Sequence, residues 1–168
     1  MEFLKIVLGC ILAAVLYGVV HDEVTARICV EYFTVFHPPV FGTDSPTLLG
    51  LGWGVIATWW AGAIIGLMLA IAARAGSQHK MRARDLVEPV GYLLMAMALC
   101  ALTFGIAGYF IGVMPAELSH MIAADRQRRF LADFWAHSAS YGCGLVGGLI
   151  LCALIAIRRI RLARAKAV

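Results

Sequence analysis

The chain has 168 residues, 62% of them hydrophobic and only 14% charged, with a formal net charge of +4 and a mean hydropathy of +0.86. Soluble domains carry roughly 25% charged residues, so this composition excludes an ordinary water-soluble globular protein and places the chain in lipid.

The first apolar run, Ile6 to Val20, reaches back through Phe3 and Leu4. Lys5 followed by such a run also resembles a secretory leader, but Tyr17-Gly-Val-Val-His21 is poor at the positions a signal peptidase reads, so the run is expected to be kept as an anchor. Three further runs carry no charged side chain, Ser45 to Ala73, Pro89 to Ala116 and Ser138 to Ile157, and each is long enough for the about 20 residues a spanning helix needs. The expected fold is an all-α integral membrane protein: a compact four-helix transmembrane bundle in a single domain, with spans at about residues 3–20, 46–73, 89–114 and 138–157. Segments 21–45 and 115–137 are then loops on one side, with 74–88 and the basic tail 158–168 on the other.

Ten of the fourteen Lys and Arg residues lie at the N-terminus, in 74–88 or in the tail, and short loops rich in Lys and Arg stay in the cytoplasm. Both termini are therefore expected in the cytosol, the protein in the cell (inner) membrane, and segments 21–45 and 115–137 outside as a polar extracytoplasmic cap. Seven of the ten acids and four of the five histidines fall in those outer segments. The inner clusters Lys80 to Arg84 and Arg158 to Lys166 read as topology anchors on anionic headgroups, with no nucleic-acid partner.

The outer segment HDEVTARICVEYFTVFHPP, residues 21–39, spaces Glu23, Arg27 and Glu31 four apart with alternating sign, which fits a helix; its β-branched content and the alternation of Ile28, Val30 and Tyr32 fit a strand, and helix is the preferred reading. Pro38 and Pro39 end any helix there, and Ser45 or Asp44 should cap span two with Pro46 at its first position. In the second span Gly62 and Gly66 form a GxxxG pair, as do Gly108 and Gly112 in the third and Gly144 and Gly148 in the fourth, all suited to close helix packing. Asp125, Arg129, Asp133 and His137 are again four apart and predict an interfacial amphipathic helix leading into span four.

Glu117-Leu-Ser-His120 is an ExxH spacing of the kind that carries metal ligands in helical bundles, and Asp133 with His137 offers a second carboxylate–imidazole pair. With His21 they form a candidate metal set, His21, Glu117, His120, Asp133 and His137, suited to Zn, Fe, Cu or Mn. Glu23, Glu31 and His37 are candidate acid/base groups for a small or lipid-like substrate. Two other readings stand beside this one: a purely structural solvated cap, and a noncatalytic accessory or scaffold subunit whose glycine faces self-associate or dock on another membrane subunit. Cys29 and Cys143 are both expected near the outer surface, where a disulfide is permitted.

Overall fold

A computed structural model describes residues 1–165, in which every regular element is helical. Four helical stretches are long and apolar enough to cross a membrane: Glu2–Ile28, Pro46–Arg74, Ala83–Ile111 and Gln127–Ala165. The first is α1 (Glu2–Ile28), with an acid in its first turn and Arg27 in its last, both matched to the helix dipole. Cys29 is extended, and the short α2 (Val30–Thr34) follows. Residues 21–34 are thus helical apart from Cys29, and helix stops before Pro38 and Pro39 as those residues require.

Ser45 caps α3 (Pro46–Ile56), its side chain accepting from the Leu48 amide at 3.5 Å, with Pro46 in the first turn. The second spanning stretch is broken rather than continuous, since α3 ends before Ala57 and α4 (Trp59–Arg74) starts after Thr58. Thr58 Oγ1 donates back to the Gly54 carbonyl at 2.5 Å, and the Ala57 carbonyl accepts from the Tyr141 hydroxyl at 3.3 Å. A back-bonding threonine bends helices, and backbone freed at such a bend needs another donor. After α4 the chain turns through Gly76, whose φ of +76° suits glycine. A 3-10 turn (Ala83–Leu86) leads into α5 (Val87–Ile111). The one-turn α6 (Ala116–Ser119) then precedes α7 (Gln127–Ala165), a single 39-residue rod.

Helix α1 packs along α3 and α4, and α5 along α7, while α4 against α7 joins the two halves. Small residues make these approaches close. A Cβ at Gly54 would lie 2.5 Å from Val19 Cα, one at Gly62 2.8 Å from the Cys10 carbonyl oxygen, and one at Gly108 2.5 Å from the Leu131 carbonyl oxygen. The GxxxG pairs are therefore occupied within the chain: 62/66 face α1, 108/112 face α7, and 144/148 face Met97 and Ile65.

Two packed clusters close the ends of the bundle. One gathers Ile6, Leu69, Ala73, Leu86 and Ile155; the other gathers Ala26, Phe33, Leu49, Trp53, Ile122 and Phe130. The second brings segments 21–45 and 115–137 together, with Arg126 3.8 Å from Glu31 across them. Its interior is aromatic. Trp53 is buried there, whereas Trp59 and Trp60 are exposed.

At the opposite end Arg159 departs from its expected place among solvated tail residues, being only 4% exposed. Its guanidinium donates to the carbonyls of Ala72, Ala75 and His79 at 2.7 Å each, satisfying two oxygens at the C-terminal end of α4 and one in the turn after it. Lys166, counted with the same basic tail, lies outside the described residues.

Candidate functional site

Buried residues on α1 recur every fourth position, Ile6, Cys10, Gly18, Asp22 and Ala26, with half-buried Ala14 completing the row. These residues form an i, i+4 row that winds along α1 from its contact with α4 to its contact with α3, and burial of that row aims the Asp22 carboxylate into the bundle. His21, one residue back, stacks on Tyr17 a turn below, ring centroids 5.7 Å apart. From the opposite half α7 supplies His137, whose ring meets His21 edge-on at 4.5 Å and lies stacked under Tyr32 at 4.3 Å.

Asp133 and His137 are therefore not rungs of a solvated charge ladder. They are 0% and 6% exposed, on the face of α7 that also buries Phe130, Ala136 and Ser140. The carboxylate of Asp133 and Nε2 of His21 are buried without a hydrogen-bond partner among the described residues. Groups in that condition cost several kcal/mol unless a proton or a cation meets them.

The decisive contact is at His137. Its Nδ1 lies 2.8 Å from the Asp133 carbonyl oxygen, which can only accept, so Nδ1 carries a proton. In the neutral ring Nε2 is then a lone pair, yet it faces the Asp22 carboxylate Oδ1 at 3.2 Å. Two acceptors at that distance repel unless a positive charge stands between them, either a second proton or a metal ion. The spacing suits a metal: two ligands each about 2.1 Å from one ion at a tetrahedral angle lie about 3.4 Å apart. The ligand atoms of His21, Asp22 and His137 all lie within 4.8 Å of one another, so these three can hold one ion after a small turn of a ring. A backbone carbonyl holding the far nitrogen of a ligating histidine is the usual outer-shell arrangement. Two imidazoles and one carboxylate suit Zn or Fe and leave coordination positions open.

The other sequence candidates are placed differently. Glu117 and His120 are exposed on and just after the one-turn α6 and are not in this group of three. Glu23 is engaged by Arg27, which also reaches the Thr47 hydroxyl at 2.8 Å. The carboxylate of Glu31 accepts from the Cys29 thiol at 3.3 Å, and burial together with that neighbour pushes the thiol pKa up to about 12. Cys29 and Cys143 are both free thiols. His37 is held by the Tyr32 carbonyl at 2.9 Å and packed between Phe33 and Trp53, and burial lowers its pKa. Asp22 was missing from the candidate ligands, although the four-residue recurrence of small residues below it marks it as inward-facing.

Below the three side chains runs a cavity of about 570 Å³, lined by α1, α4, α5 and α7 between the two packed clusters. It contacts His21, Asp22 and His137 directly.

Comparison with known proteins finds no matching family, no similar curated protein and no similar solved structure.

Proposed function

We propose that the chain is an integral protein of the cell (inner) membrane, with both termini cytoplasmic, that holds a transition metal ion through His21, Asp22 and His137 at the extracytoplasmic end of its bundle. The metal site serves a small or lipid-like substrate. The supporting observation is the His137 lone pair, fixed by the Asp133 carbonyl and set 3.2 Å from the Asp22 carboxylate. Zn or Fe in this set offers an open position for a substrate oxygen; without metal, the same imidazole–carboxylate pair is built to move one proton.

Protein purified in mild detergent and analysed for metals is expected to carry close to one transition-metal ion per chain. His21→Ala and His137→Ala should lose it while keeping their helical circular dichroism. Metal-free protein that also fails to take up Zn or Fe on titration overturns the reading. The alternative is a noncatalytic accessory subunit docked on another membrane protein, which the exposed apolar row Leu4, Leu8, Leu12, Leu16 and Val20 of α1 fits no better than it fits lipid. Absence of metal together with a stoichiometric co-purifying membrane partner supports that alternative. A reporter fused after Val168 tests the threading, which requires its signal inside the cell.

A further inference from the structure

The cavity is polar at one end only. Tyr17, His21, Asp22, His137, Ser140 and Tyr141 surround its upper part; the remainder is walled by residues such as Cys10, Ile65, Leu93, Met97 and Leu151. It follows α1 from Asp22 down to Cys10, twelve residues or about 18 Å of helix. Most of the hydroxyls at the polar end are already engaged. Tyr17 and Ser140 pair at 2.8 Å, and Thr58 and Tyr141 donate to backbone carbonyls. The valences left open there are those of the His/Asp/His group.

Three properties select an occupant. Its body must be hydrocarbon, because a polar group placed against Leu93, Met97 and Ile65 would lose its hydrogen bonds. Its head must carry an oxygen ligand, because no Lys or Arg lines the cavity among the described residues and what is left to meet the head is the His21, Asp22 and His137 group with the metal ion it would hold. Its size is that of one chain, since about 570 Å³ lies within the range of sites for single drug-sized molecules. The way in is also visible. Trp60, Ile64 and Leu145 line the cavity yet are exposed, and they sit near the middle of their helical stretches, so the cavity opens sideways at mid-height instead of only at its polar end.

We propose that this cavity takes the hydrocarbon tail of a single-chain amphiphile with an oxygen-bearing head, admitted laterally from the bilayer, the head oxygen meeting the His21/Asp22/His137 group. This deepens the metal-site reading and rests on it for the head end; the tail end stands on the cavity alone.

The test uses the full chain in phosphatidylcholine vesicles with a photoactivatable probe, hexadecanol carrying a diazirine along its chain. Labelling is expected on Leu93, Met97 and Ile65, and it should fall about tenfold in Ala61→Phe, which fills the cavity from α4, with metal content unchanged. Ala13→Phe fills it from α1 and serves if the first variant does not fold. Label confined to outward residues such as Leu8 and Leu12 overturns the proposal. Equal labelling by a hexadecane carrying the same diazirine overturns the oxygen head, and equal labelling by a two-chain diazirine lipid overturns the single chain. Cavity labelling in protein that binds no metal would retain this inference for the tail and remove the metal reading; metal without cavity labelling would do the reverse.

Discussion

His137 and Asp22 stand 115 residues apart in the chain and 3.2 Å apart in the fold, one on α7 and the other on α1. Neither half of the bundle contains the pair alone, so the contact that carries the candidate chemistry exists only when the two halves are assembled. Replacing Asp22 by Asn keeps the shape and removes the charge. Metal affinity, measured by chelator competition, is expected to fall at least about 100-fold, the upper end for disturbing even an outer-shell partner. An unchanged affinity would show that the carboxylate is not a ligand.

Gly54 and Gly9 give a matched contrast. A Cβ at Gly54 would sit 2.5 Å from Val19 Cα and 2.6 Å from its nitrogen, whereas at Gly9 nothing lies within 4 Å. Gly54→Val should therefore lower stability by about 3 kcal/mol or more through separation of α1 from α3, and Gly9→Val should be nearly neutral. Thermal unfolding followed in detergent reads both, and similar midpoints for the two variants would contradict this packing.

Acid should loosen the end of the bundle that holds His37. Burial lowers the pKa of this imidazole from its ordinary value of 6.5; the Tyr32 carbonyl works against that shift, nearby His137 adds to it, and Asp22 opposes it. The unfolded chain then binds more protons than the folded one as pH drops below 6.5, so the stability tied to His37 is complete above that value and is lost as pH falls through it. The thermal midpoint should be lower at about pH 5.5 than at about pH 7.5, and the drop should be smaller in His37→Gln. Equal drops in both proteins would assign the pH response elsewhere.

Arg159 and Arg158 are neighbours with different expected effects. Arg159 is buried on three carbonyls from the end of α4 and the turn after it, while Arg158 is exposed. Arg159→Ala should cost about 3 kcal/mol or more, since charge-assisted bonds are lost and buried carbonyls are orphaned. Arg159→Lys should recover only part of that, because an ammonium lacks the fork. Arg158→Ala should change little, and unfolding midpoints of the three variants provide the comparison.

Much of the architecture was legible in the residues, and the reasons are physical. Long charge-free runs require long helices, and Ser45-Pro46 marked the start of α3 because a hydroxyl cap and a proline suit the first turn and little else. The break at Ala57 and Thr58 was not legible: no proline or glycine stands at either position, and the cause is a threonine back-bond combined with a tyrosine from a distant helix. His21 and His137 could be named from chemistry alone. Their union with Asp22 depended on which way α1 faces, and that information lay in the small residues at 10, 14 and 18 rather than in the acids. The ExxH pair drew attention by spacing, but spacing carries ligands only on a sustained helix, and α6 is four residues long.

The 39 residues of α7 make a rod of about 58 Å, roughly twice the about 30 Å of hydrocarbon in a typical bilayer. Arg159 ties this rod to the end of α4, and His137 ties it to α1 twenty-two residues earlier. Its angle to α1 and α4 is thereby set by the protein's own fastenings. In a bilayer, a mismatch in thickness would be met by tilt of the bundle as a whole or by deformation of the lipid, and not by the geometry of the site.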